Sequence, residues 1–246
     1  MTSTQLLVVV LASLAGATVK SVTGMGYPVV AVPLIALVAG VENAVVIVAI
    51  PNVAANAYLC WETRDSRAGS RDLGRIVGFG SVGAVVGTIA LVNLPDRPLL
   101  IMLAITILVF VIQFFRRPEL RLSTATTKRY SGPVGFVAGC MQGALGVSGP
   151  VVATWIHGYR LSSRTYIHSV TLIFGVTGLV QLVILVMQGA LTWDRTVAMA
   201  AAGVTVAAVL PLGVRLRNRL AGRSFDHFVL GAIILSAVSL LIDALS

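Results

Sequence analysis

Two short segments, Thr23-Gly24-Met25-Gly26-Tyr27-Pro28 and Gly146-Val147-Ser148-Gly149-Pro150, interrupt apolar stretches with glycine and proline. Inside a helix Gly costs about 1 kcal/mol and Pro about 3 kcal/mol, so each segment ends one helix. Pro28 and Pro150 suit the first turn of the next. A helix that starts within an apolar environment leaves up to four N–H groups without an intrahelical acceptor. Unmet in hydrocarbon, each such group would cost several kcal/mol. The same end carries about half a positive charge from the aligned peptide dipoles. An anion answers both needs, which makes Gly26–Pro28 and Ser148–Pro150 a candidate cradle for one. Gly24, Gly26, Gly146 and Gly149 would let backbone approach the ligand closely. The bland alternative is that these glycines only permit close helix crossing.

Several polar side chains stand near the breaks. Lys20 is an ionisable residue inside an apolar stretch, by default a functional candidate: it could attract the anion, extend to a membrane face or pair with a carboxylate. Its equivalent at the second break is Gln142. Thr23 and Ser148 are placed to cap the following helices or to donate to a ligand, and Tyr27 belongs to the first break itself. Asn52 and Asn56, four apart, share one helix face, for substrate contact or for bonding between helices. His168 is a candidate for proton coupling, since imidazole can change charge near neutral pH. His157 ends a short apolar stretch beside Arg160 and is expected in water or among headgroups.

The elements that must position these residues follow from composition. Of 246 residues, 57% are hydrophobic and 11% charged, and the mean hydropathy is +0.94. Soluble domains carry about a quarter charged residues, so the surplus of apolar residues points to a bilayer. Two cysteines exclude a disulfide scaffold and a multi-cysteine metal site. No cofactor, metal or catalytic group is expected. Apolar stretches cover roughly 5–22, 28–40, 43–61, 74–94, 98–115, 132–146, 149–159, 165–187, 196–214 and 227–245. Six match the roughly 20 residues of a membrane-spanning helix: 43–61, 74–94, 98–115, 165–187, 196–214 and 227–245. The other four form two interrupted pairs, 5–40 and 132–159. The apolar run Leu6–Leu14 imitates a signal peptide but lacks the positive leading segment, and is read as part of the fold.

A net charge of +9 could mean nucleic acid. Position decides otherwise. Fifteen of the eighteen Lys and Arg lie in four connections: Arg64–Arg75, Arg116–Arg129, Arg160–Arg164 and Arg215–Arg223. If each interrupted pair is a hairpin that enters and leaves on one face, all fifteen fall on one side, which the positive-inside rule makes cytoplasmic. Both termini then lie outside. Reading each pair as a single span would divide the charges almost evenly. The expectation is a multi-pass protein of the cytoplasmic membrane whose partners are the bilayer and a small anion, not nucleic acid, with a second copy of the chain as a further candidate.

A shift of 122 residues aligns Gly24 with Gly146 and Pro28-Val29-Val30-Ala31 with Pro150-Val151-Val152-Ala153. Each half becomes a broken-helix hairpin followed by three spans, with the charged connections exchanged between sides. The fold class expected is therefore an all-α polytopic membrane protein of two inverted repeats, 1–115 and 132–246, joined by a basic linker at 116–131. Inverted repeats with discontinuous helices point to a secondary transporter and its site. The chain resembles the sulfite exporter TauE/SafE family, also called the toluene sulfonate uptake permeases, over nearly its whole length. The resemblance rests on the two halves, on Gly16–Gly26 and Gly135–Gly139, on Gly24–Pro28 leading into Pro33, and on Gly146–Pro150 followed by an apolar run. It implies transport of sulfite, sulfonates or related organosulfur anions and no enzymatic activity. Two rivals are an anion channel and a rhomboid-like intramembrane serine protease, the latter because Gly146-Val147-Ser148-Gly149 matches the G-x-S-G around that family's serine. Against the protease, the rhomboid H-x-x-x-N pair is absent and Pro150 follows the motif.

Overall fold

The computed structural model describes residues 1–69, 71–116 and 121–216, and every regular element among them is helical. The order is α1 (Ser3–Thr23), α2 (Tyr27–Ala39), α3 (Val41–Glu62), a 3-10 turn (Arg64–Gly69), α4 (Leu73–Asn93), α5 (Asp96–Arg116), α6 (Thr124–Leu145), α7 (Gly149–His157), α8 (Ser163–Met187) and α9 (Trp193–Arg215). Six of these, α1, α3, α4, α5, α8 and α9, are long and apolar enough to cross a membrane. Five of the six expected spans coincide with described helices, and the sixth, 227–245, lies outside the described residues.

The interrupted pairs are less even than their apolar stretches suggest. With 21 residues, α1 is about 31 Å long and matches a hydrocarbon core of about 30 Å. Its start is fixed by a capping box between Thr2 and Gln5. The interior Gly16 does not break it, because Tyr27 of α2 packs directly against that position. Likewise α6 begins at Thr124, capped by Ser123, ahead of the apolar stretch that starts at 132. The returning helices are short: 13 residues in α2 and 9 in α7, about 20 and 14 Å. Neither can cross a core alone.

Contacts between helix ends define two opposite ends of the bundle. At one, Gln5 Nε2 donates to the Val38 carbonyl at 2.7 Å, joining the start of α1 to the end of α2. Arg195, opening α9, pairs with Glu42 at 2.9 Å and donates to Asn43 at 2.7 Å. At the other, Leu122 N–H donates to the Gly158 carbonyl at 3.0 Å, joining the start of α6 to the end of α7. There Arg164, opening α8, meets Glu62 at the end of α3, 3.7 Å apart. Each helix pair thus enters and leaves at one end of the bundle. Arg64, Arg67, Arg71, Arg75, Arg121, Lys128, Arg129, Arg160 and Arg164 belong to the second end.

Packing is closest where α4 meets α6. A β-carbon at Gly135 would lie 2.5 Å from the Ile76 carbonyl oxygen, and one at Gly143 would lie 2.6 Å from Thr88 N. Small residues let backbones touch where lipid gives no hydrophobic drive for association. The two long helices α3 and α8 pack against each other, with α9 beside α3 and α4 beside α8.

Candidate functional site

The two breaks share a local geometry. α1 ends at Gly24 and α6 at Gly146, both left-handed, with φ of 79° and 67°. Glycine adopts this conformation without a steric penalty. The Gly24 N–H donates to the Lys20 carbonyl at 2.8 Å, and the Gly146 N–H to the Gln142 carbonyl at 2.9 Å. Lys20 and Gln142 therefore occupy equivalent places in the last turn before each break. After the break, α2 and α7 each carry proline in the first turn and have no side-chain cap. The N–H groups of Tyr27 and Val29, and of Gly149 and Val151, lie in first turns that α-helical pairing leaves without an acceptor.

Both breaks open on one cleft of about 260 Å³, mouth included, lined by Lys20, Gly26, Asn52, Gln142, Gly146, Ser148 and Gly149 on its polar side. Met25, Pro28, Val29, Val147 and Phe174 complete it. The free space it holds is about that of a single water.

Two buried polar networks flank this cleft. From the first half, Lys20 Nζ donates to Asn56 Oδ1 at 2.7 Å, and Asn56 Nδ2 donates to Asn52 Oδ1 at 3.1 Å. Lys20 and Asn56 are fully buried and Asn52 nearly so. In the second half Ser148 Oγ donates to Gln142 Oε1 at 3.0 Å. Gln142 Nε2 donates to the Gly146 carbonyl and to Gln181 Oε1, each at 3.3 Å. Gln181 Nε2 in turn donates to the carbonyls of Gln142 and Gly143 at 2.9 and 3.1 Å. A long helix thus braces each break: α3 through Asn56, α8 through Gln181.

Most of the sequence candidates meet here. Lys20, Gly26, Asn52, Gln142, Gly146, Ser148 and Gly149 line the cleft, and Asn56 stands behind Lys20. Tyr27 turns away: it is buried against Gly16, its hydroxyl 3.3 Å from Ser13 Oγ. Gly24 packs against Ile167. The Thr23 hydroxyl accepts from Met25 N–H at 3.2 Å and contacts the Val19 and Met25 carbonyls, so it closes the turn and does not cap α2. Ser148 occupies the N-cap position of α7 yet gives its hydroxyl to Gln142. His168 stands apart from the cleft, its Nδ1 3.3 Å from Thr63 Oγ1 and 3.8 Å from Cys60 Sγ. His157 is exposed at the end of α7, so neither histidine is bonded to Ser148. Gln181 was missed by the sequence reading. Its signal was an amide inside an apolar span, the same signal that singled out Asn52 and Asn56.

Membrane-length apolar helices around a buried polar cleft at two helix breaks define a polytopic helical membrane protein with an internal site. The family model for sulfite exporter TauE/SafE matches residues 8–240. The chain belongs to that family, a family of membrane transporters for sulfite and related anions. No curated protein and no solved structure was found to match it.

Proposed function

We propose that the cleft between the two breaks binds a small sulfur oxyanion, sulfite or a sulfonate, and that the protein carries it across the membrane by alternating access. One observation carries the reading: two uncapped helix starts and the buried Lys20 converge on the same cleft. The N–H groups of both first turns can be shared among the oxygens of a sulfite or sulfonate group. Lys20, Asn52, Gln142 and Ser148 supply further donors. A sulfite or sulfonate group is larger than the single water this free space holds, so the helices must part to admit it.

The two halves act as inverted repeats on this reading. In its support, α1 and α6 leave opposite ends of the bundle, α9 packs on α1 and α4 on α6. Rocking one half against the other would open the cleft to each side in turn. The basic end is cytoplasmic by the positive-inside rule.

A thermal-shift series on the purified protein with sulfite, simple sulfonates and carboxylates tests the site, because a ligand of the native state must raise apparent stability. Sulfite or a sulfonate is expected to raise it, and Lys20→Ala to remove the effect and the uptake into proteoliposomes. Stabilisation and uptake unchanged in Lys20→Ala would take Lys20 out of the site. Large single-channel currents in a bilayer, in place of saturable uptake, would replace the transporter by a channel.

A further inference from the structure

We propose that anion binding in the cleft is coupled to protonation of Lys20, so that a proton accompanies each anion across the membrane. This rests on the reading of the cleft as an anion site. An ammonium group carries three N–H donors and no acceptor. Among the described residues Lys20 Nζ has one hydrogen-bond partner, the neutral Asn56 amide oxygen, and no carboxylate pairs with it. The second network holds only amides and a hydroxyl around the equivalent Gln142. Among the described residues the cleft therefore offers the charged form of Lys20 no counter-charge.

The titratable and charged groups of the surrounding helices are engaged elsewhere. On α2, Tyr27 faces Ser13. On α3, Glu42 holds Arg195 at one end, while Tyr58 faces Trp61, Cys60 faces His168 and Glu62 meets Arg164 towards the other. Of the α6 groups, Lys128, Arg129 and Tyr130 are exposed near its start, and Cys140 sits at the contact with α4. On α7, His157 is exposed; on α8, Tyr166 reaches Met25 Sδ. On α9, Asp194 and Arg195 open the helix and Arg215 closes it. None of them lines the cleft.

A charged Lys20 and a bound anion thus stabilise each other in a site where water no longer does so. Such coupling is reciprocal: the anion favours the proton as much as the proton favours the anion. The proton comes from water on whichever side the cleft is open, forms an N–H bond at Nζ, and leaves with the anion on the other side. A monoanion and a proton together move no net charge. Its transport should respond to a pH gradient and ignore the membrane potential.

Ethanesulfonate is the probe, because its charge does not change over the range used and any proton taken up belongs to the protein. The purified full chain in weak buffer is titrated with it in the presence of a pH-indicator dye. Calorimetry in buffers of different ionisation enthalpy checks the proton count. Binding should take up protons, towards one per anion, and affinity should fall on the alkaline side by up to about tenfold per pH unit. Lys20→Arg, permanently charged, should bind without proton uptake; Lys20→Gln should bind more weakly and also without it. His168→Asn should keep the uptake. Wild-type binding without proton uptake across the neutral and alkaline range overturns the coupling, as does uptake that survives in Lys20→Gln or is lost in His168→Asn. No ethanesulfonate binding at any pH overturns the anion site itself, a distinct result.

Discussion

Replacing Gly139 by alanine, beside the same change at Gly78, separates a glycine that backbone contact requires from one that it does not. Both lie at the α4–α6 level of the bundle and both are helical. A β-carbon at 139 would overlap the Gly80 carbonyl oxygen and lie 2.9 Å from Ala84 N. These are backbone atoms of α4 and cannot swing aside, so the two helices must separate. Overpacking of this kind costs about 1–3 kcal/mol. A β-carbon at 78 would meet nothing within 4 Å, and alanine there gains about 0.5–1 kcal/mol of helix propensity. For a chain of this size 1 kcal/mol moves the midpoint by about 2–4 °C. Thermal unfolding in detergent, followed by far-UV circular dichroism, should thus show Gly139→Ala falling by several degrees and Gly78→Ala rising by a degree or more. Gln142 lies three residues beyond Gly139 on the same helix face, so Gly139→Ala should also weaken anion binding. Equal shifts in the two variants, or a rise in Gly139→Ala, would refute the close contact of α4 with α6.

Two further outcomes follow from single contacts. Gln181→Leu removes donors to two α6 carbonyls and an acceptor for Gln142. At roughly 0.6–1.7 kcal/mol for a hydrogen bond between membrane helices, it should lower thermal stability by a few degrees in the same unfolding assay and weaken sulfonate binding. At the basic end, burial pushes the Tyr159 phenol up to about 12, Trp155 Nε1 donating to it opposes the rise, and nearby Asp72 adds to it. The folded state then holds this proton after the unfolded chain, near 10, has lost it, so its contribution is full below about pH 10 and lost as pH rises through about 12. Ultraviolet titration should show the Tyr159 phenol, taken as the difference from Tyr159→Phe, ionising late, and Asp72→Asn should bring it earlier.

What could be read along the chain was what depends on local composition. Membrane spans, the two breaks and the clustered arginines are each written in short windows, because helix length, glycine and proline costs and loop charge act locally. The equivalence of Lys20 and Gln142 was legible for the same reason, through the repeat of 122 residues. The lengths of α1 and α6 were not. Caps at Thr2 and Ser123 extend them beyond their apolar stretches, and packing of Tyr27 against Gly16 preserves a helix that glycine alone would weaken.

The composition of the cleft was decided by rotation about helix axes, which no one-dimensional pattern records in a helix apolar on every side. Tyr27, Thr23 and Gly24 sit in the first break yet turn to Ser13, the turn itself and Ile167. Asn56 and Gln181, 36 residues from Lys20 and 39 from Gln142, close the site from α3 and α8. By itself the sequence determined that the protein spans a bilayer, where its helices break and in which connections its positive charge gathers, since hydrophobic length and charge are properties of segments. Only the tertiary structure decided that both breaks meet, and that among the described residues Lys20 meets there an amide and no carboxylate, since the burial of a charge depends on what every neighbouring helix brings to it.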